Sequence, residues 1–93
     1  MLTKPQYIFL KAYFAAFGKA VLDRFASNFE EKGMGFTTVT VDKLLPKFRE
    51  EVKELEYELS RETIDFDKVL LELADVANMC FMMFIQARES KNK

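Results

Sequence analysis

The 93-residue sequence contains no histidine and only one cysteine, Cys80. The absence of histidine excludes imidazole-dependent nucleophilic triads, histidine-ligated zinc and the Glu-x-x-His pairs of di-iron helical bundles. A single cysteine excludes an internal disulfide and a cysteine-ligated zinc site. Because Cys80 lies in an apolar run, we expect it to be a buried small hydrophobic residue in a reducing compartment.

The sequence also lacks an excess of charge of either sign, since its 14 basic and 15 acidic residues give a net charge of -1. Without a basic patch, a nucleic acid polymer is not an expected partner. The first 25 residues interleave aromatic and charged residues, so we predict no secretory signal and a cytoplasmic location. The strongest apolar stretch, 69–85, is short for a membrane span and contains Glu72 and Asp75, so no membrane partner is expected.

What the sequence has in abundance is apolar side chain, including ten Phe and five Met. Its length predicts a single domain spanning residues 1–93. A chain this short buries only about 60% of its unfolded surface. We therefore expect a homo-oligomer formed through a helical face.

Hydrophobic spacing predicts three helices. Apolar residues recur at intervals of three and four in a first helix from Pro5 to Lys32, which should end at Gly33 because glycine adopts the left-handed conformation easily. Gly35 adds a second break, and residues 36–40 are predicted to be an extended connector packed by Phe36. The stripe of the first helix consists of Leu10, Phe14, Phe17, Val21, Phe25 and Phe29.

The second helix is predicted to start within residues 41–46 and to end near Leu59. Thr40 is a candidate cap with Val39 and Leu44 as a hydrophobic staple, although Pro46 would then require a kink.

After a turn at 60–64, Asp65 should cap a third helix ending near Glu89, with Ile64 and Val69 as its staple. The predicted fold is an all-α, three-helix antiparallel protomer that completes a helical bundle by oligomerisation.

Four carboxylates form two pairs spaced i,i+3, Glu51 with Glu54 and Glu72 with Asp75. Residues three apart share a helix face. The pairs mirror each other about position 63, so antiparallel helices would place Glu51 level with Asp75 and Glu54 level with Glu72. This arrangement predicts a box of oxygen donors for a hard divalent cation.

Two other interpretations remain open for these acids. The glutamates of the second helix could form an ordinary solvated face, and a salt-bridge network, with Lys68 as one nearby base, could satisfy the acids of the third. Glu72 and Asp75, however, interrupt a segment that is apolar nearly all round, where an unpaired carboxylate would cost several kcal/mol to bury. All-oxygen ligation suits magnesium, manganese or calcium, and magnesium shares its coordination sphere with phosphate substrates.

The acidic motifs and their order resemble the ExxE and ExxD signature of the MazG-like all-α nucleoside triphosphate pyrophosphohydrolases. The motifs are EEVKELEYEL at 50–59 and ELADVANM at 72–79, with seventeen residues between Glu54 and Glu72. The similarity spans the chain from the first helix through the third, and FREEVKEL is the more distinctive half. The chain departs from many relatives in lacking tryptophan, so it offers no obvious aromatic for the base; Phe14, Phe17, Phe36 and Phe81 are expected in the core.

The resemblance implies a Mg²⁺-dependent hydrolase that converts a nucleoside triphosphate to a monophosphate and pyrophosphate and works as a homodimer or homotetramer whose helices complete a bundle. It makes Glu51, Glu54, Glu72 and Asp75 the metal ligands, with Glu51 or Glu54 as the proton acceptor. Mn²⁺ is an alternative ion that the all-oxygen ligation allows.

Asn78, one turn beyond Asp75, and Lys47, one turn before Glu51, are candidate substrate contacts. Asn78 is equally compatible with an interfacial hydrogen bond, and Lys47 with an ion pair to Glu51. The alternative function is a non-catalytic helical assembly or regulatory module on the same scaffold.

Overall fold

The computed structural model describes residues 1–92, without the side chains of residues 29–32. It contains three helices, α1 (Lys4–Lys32), α2 (Val41–Ser60) and α3 (Phe66–Lys91), with a short 3-10 helix at Gly35–Thr38. The predicted all-α, three-helix fold is therefore confirmed. Phe29, the last residue of the predicted α1 stripe, lies outside the described side chains.

Helix α1 begins and ends at local signals in the sequence. The Thr3 hydroxyl accepts from the Gln6 amide at 3.3 Å, and the Gln6 side-chain oxygen accepts from the Thr3 amide at 2.9 Å. This reciprocal capping box satisfies amides that the first turn leaves unpaired. At the other end Gly33 has φ 57°, so the predicted left-handed helix stop is confirmed.

The prediction of an extended connector over residues 36–40 is wrong for its first part, which forms the 3-10 helix. The Thr37 and Thr38 hydroxyls donate to the carbonyls of Met34 and Gly35, three residues earlier. These local bonds offer the backbone a tight turn in place of an extended path. Phe36 is buried, as expected, and packs against Leu44 and Met79.

Helix α2 begins at Val41, directly after Thr40, and includes Pro46. Thr40 has the extended backbone of a cap, but its hydroxyl donates to the Asp42 carboxylate and makes no cap bond to a helix amide. Because proline has no N–H, the Asp42 carbonyl loses its usual partner at Pro46. The predicted hydrophobic staple is present in part, since Val39 packs against the apolar cluster that contains Leu44.

Helix α3 begins as predicted, with the Asp65 side chain accepting from the amides of Asp67 and Lys68 at 3.1 and 3.3 Å. It packs against both α1 and α2, so it forms the centre of the fold. Its buried contacts surround Phe36, Leu44 and Met79, with half-buried Phe25 and Met82 at the edge. This packing places the middle of α3 beside the acidic part of α2.

A large apolar surface stays exposed on α1 and α3. The expectation of a buried Cys80 is wrong in this protomer, as is the expectation that Phe14, Phe17 and Phe81 lie in its core. These side chains are exposed because none of the described helices covers them. They line a groove of about 540 Å³ between α1 and α3.

Helix α3 is long and apolar enough, by length and composition alone, to cross a membrane. Core helices of soluble bundles meet the same criteria. This property therefore assigns the chain to no compartment.

Candidate metal centre

Three of the four predicted carboxylates come together across the α2–α3 hairpin. Glu51 on α2 and Glu72 and Asp75 on α3 each offer an oxygen, and these oxygens all lie within 4.8 Å of one another. The grouping follows from the mirrored spacing, because an antiparallel hairpin brings equidistant residues level. We call Glu51, Glu72 and Asp75 the carboxylate cluster.

Two oxygens of the carboxylate cluster are buried and have no hydrogen-bond partner among the residues that the structure describes. Glu51 is only 5% exposed and its Oε2 atom has no partner, and Glu72 Oε2 is in the same state. A buried unpaired carboxylate oxygen is unfavourable, because it loses water without gaining a donor. These oxygens would be satisfied by a cation placed between the two helices.

The local environment raises the pKa of both glutamates. Burial is the main cause of the raised pKa of Glu51, and the charges of Glu54 and Asp75 add to it while Lys47 opposes it. Burial also raises the pKa of Glu72 most, followed by the charges of Glu54, Asp75 and Glu51. Burial and the mutual repulsion of these acids therefore both disfavour the charged forms of Glu51 and Glu72.

Asp75 differs from the glutamates because it has a partner from α1. The Arg24 guanidinium donates from Nε to Asp75 Oδ1 at 2.8 Å and from a terminal nitrogen to Oδ2 at 3.2 Å. The salt-bridge interpretation thus holds for Asp75, although through Arg24 and not through Lys68. It leaves the orphan oxygens of Glu51 and Glu72 unexplained.

Sequence reasoning missed Arg24, which lies 51 residues before Asp75. No short motif joins the two residues. A usable signal was the position of Arg24 three residues after Val21, beside the apolar stripe of α1 and therefore on its packed side. A basic residue at that place needs an acidic partner from the neighbouring helix.

Glu54 and Lys47 lie on either side of Glu51 along α2. Glu54 is exposed and lies beside the cluster, since its charge acts on both Glu51 and Glu72. The Lys47 ammonium lies 3.3 Å from Glu51 Oε1 and 3.4 Å from Glu50. Burial lowers the pKa of Lys47, but its bonds to Glu51 and Glu50 outweigh burial and raise it.

Asn78 is 6% exposed, and its Nδ2 donates to the Val21 carbonyl at 2.9 Å. This bond fixes the amide orientation, because the carbonyl needs the NH₂ group as its donor. The Oδ1 atom is then buried, and no group in the described part of the chain bonds to it. Asn78 therefore ties α3 to α1 and keeps one free acceptor beside the cluster.

A cavity of about 340 Å³ adjoins the cluster. Its apolar wall includes Phe25 and Phe36, whose rings meet edge to face with centroids 6.0 Å apart. Polar groups are also present: Asn28, Lys43, Glu51, Asp75 and Asn78. A cavity with an apolar aromatic wall and an acidic rim has the character of a small-ligand site.

The donor set suits a hard divalent cation. All three cluster residues offer carboxylate oxygens, which magnesium and manganese prefer, and Glu51 and Glu72 each carry a buried oxygen without a partner among the described residues. The arrangement also leaves Glu54 exposed at the edge as a fourth acid. The cluster can therefore hold one end of a phosphate-bearing ligand through an ion.

Comparisons with protein-family models, with curated proteins and with solved structures find no match to this chain.

Proposed function

We propose that this chain is a Mg²⁺-dependent nucleoside triphosphate pyrophosphohydrolase of the MazG-like type, able to use Mn²⁺ and releasing pyrophosphate and a nucleoside monophosphate. The observation that carries the proposal is the convergence of Glu51, Glu72 and Asp75 across two helices, where Glu51 and Glu72 each carry a buried oxygen without a partner among the described residues. Support also comes from the order of the ExxE and ExxD motifs.

In this proposal Glu51, Glu72 and Asp75 would hold the ion, and the exposed Glu54 beside them would complete the ligand set. When bound, the ion neutralises phosphate charge and lowers the pKa of a water ligand. Of the two candidate proton acceptors, Glu54 is favoured by its exposure, because an exposed carboxylate can pass its proton to solvent. Glu51 is buried and better suited to fixing the ion.

The cavity beside the cluster is the proposed nucleoside site. Its apolar wall would cover the faces of a base, and its position beside Glu51 and Asp75 would direct the phosphates toward the ion. Asn78 is the candidate contact from α3 through its free oxygen. Lys47 is the candidate phosphate contact from α2, because its side chain is half exposed at the cluster.

The proposed assembly is a cytoplasmic homodimer or homotetramer formed through α1 and α3. Support comes from the exposed side chains of Phe14, Phe17, Phe81 and Phe84, which line one apolar groove. Contiguous apolar surface of this kind is unfavourable in water and typical of association surfaces. A second copy would bury it and complete a helical bundle.

The test is release of pyrophosphate from a panel of ribo- and deoxyribonucleoside triphosphates with Mg²⁺, with Mn²⁺ and with a chelator. At least one nucleotide should be hydrolysed with a metal and none without. Glu72→Gln should abolish the activity, because it removes a charged donor while keeping the side-chain shape. The control Glu56→Gln makes the same change at an exposed site on α2 and should leave the rate unchanged. Failure of every nucleotide with either metal would contradict the proposal.

The alternative, a non-catalytic helical assembly module, is favoured by one observation, the wide exposure of apolar residues along α1. Calorimetry separates the two functions. Binding of a nucleotide without turnover, or no binding at all, would favour the module. Binding followed by release of pyrophosphate would exclude it.

A further inference from the structure

The Arg24 guanidinium is a positively charged group that is already bound to the carboxylate cluster, through Asp75. It uses both Asp75 oxygens, and Asp75 is largely buried while Arg24 is about one-third exposed. The bonds to Asp75 are the main cause that raises the pKa of Arg24; burial opposes them, and the charges of Asp75, Glu72 and Glu51 add to the rise. The Arg24 guanidinium is therefore attracted by all three carboxylates of the cluster, although it bonds only to Asp75.

A divalent ion at Asp75 would compete with this guanidinium. An ion held by a carboxylate oxygen sits about 2.1 Å from it. The guanidinium is bonded to the same carboxylate at 2.8 and 3.2 Å, so the two positive charges would be immediate neighbours. Like charges at such separation repel strongly in a partly buried site. Asp75 can therefore bind a divalent ion tightly only if the Arg24 guanidinium moves away.

The fold allows that movement. Arg24 belongs to α1, whereas the carboxylates belong to the α2–α3 hairpin, so the side chain can swing away without disturbing the backbone that holds the acids. The Arg24 side chain is already about one-third exposed, so part of it contacts solvent in the paired state. A free guanidinium offers a planar fork of donors that matches phosphate oxygens.

We propose that Arg24 is the resident cation of the carboxylate cluster: it holds Asp75 in the metal-free protein, gives up that carboxylate to a divalent ion, and then binds the phosphates of the nucleotide. This inference rests on the proposed function for its ligand, a polyphosphate carried by the ion. It assigns Arg24 two effects of opposite sign, antagonism toward the metal and attraction toward the phosphate.

The test compares the wild-type chain with Arg24→Gln by titration calorimetry, first with Mg²⁺ alone and then with inorganic pyrophosphate at saturating Mg²⁺. Removal of the competing charge should tighten Mg²⁺ binding about tenfold. Removal of the fork should weaken pyrophosphate binding about tenfold. The control Lys19→Gln removes a charge from an exposed pair on the same helix and should change neither affinity.

Circular dichroism checks that each variant is folded. If Arg24→Gln does not fold, Arg24→Lys keeps the charge without the fork, and it should bind pyrophosphate more weakly with a smaller change for Mg²⁺. Unchanged or weaker Mg²⁺ binding in Arg24→Gln, or undiminished pyrophosphate binding, would overturn this inference alone. If neither wild type nor variant binds Mg²⁺, this inference and the proposed function both fail.

Discussion

Glu72→Gln should stabilise the metal-free protein and remove its response to magnesium. In the wild-type chain Glu72 carries a buried unpartnered oxygen, and burial together with Glu54, Asp75 and Glu51 raises its pKa. The neutral amide keeps the shape but relieves the repulsion. Because a buried polar group left without a partner costs about 1 to 3 kcal/mol, and more when it is charged, we expect a gain of about 1 to 2 kcal/mol in the free energy of unfolding.

The assay is thermal unfolding with a chelator and with Mg²⁺, at one protein concentration because association also shifts Tm. For a domain of this size the gain corresponds to a rise in Tm of about 4 to 15 °C without metal. Magnesium at a hundredfold excess over its Kd should stabilise the wild type by about 2.7 kcal/mol and leave Glu72→Gln nearly unchanged. The exposed control Glu56→Gln should behave as wild type. A less stable Glu72→Gln in chelator, or equal shifts with Mg²⁺ in both proteins, would refute this reasoning.

Three further predictions concern pH and the helix ends. Because folding raises the pKa of Glu51 and Glu72 above 4.5, their contribution to stability is fully present below that value and is lost as pH rises through their folded pKa. Denaturant unfolding in chelator should show this loss as a free energy of unfolding that falls with rising pH. The prediction is contradicted if the double variant Glu51→Gln, Glu72→Gln shows the same dependence of that free energy on pH as the wild type. Asp65→Ala removes two cap bonds and should lower the free energy of unfolding by about 1 kcal/mol in the same assay. An unchanged free energy of unfolding would show that the cap does not stabilise α3. Gly33→Ala places a Cβ at φ 57° and should destabilise by about 1 kcal/mol; a more stable variant would disprove the requirement for glycine.

Local chemistry explains why much of the fold was predictable. Gly33 ends a helix through its left-handed backbone, and Asp65 begins one through its cap bonds. Both effects involve only neighbouring residues, so a short stretch of sequence is enough to predict them. The 3-10 helix was missed because β-branched residues suggested an extended chain, while the Thr37 and Thr38 hydroxyls bond back to the preceding carbonyls.

The carboxylate cluster was predictable for a geometric reason. Two i,i+3 pairs about one hairpin leave little freedom in where the acids fall, and Glu51, Glu72 and Asp75 meet as expected. Arg24 was not predictable in the same way, because its pairing depends on how α1 crosses α3. The exposure of Cys80 was missed for a related reason. An apolar stretch of sequence predicts burial, but it does not distinguish burial inside the protomer from burial against another chain.

The central claim is that acids from α2 and α3 hold a divalent ion between them. The most direct measurement is a crystal structure of the protein soaked with Mn²⁺ and recorded with anomalous scattering. We expect an anomalous peak about 2.2 Å from carboxylate oxygens of Glu51, Glu72 and Asp75, with the Arg24 guanidinium displaced from Asp75. An ordered cluster without a peak, with Arg24 still paired to Asp75, would contradict it.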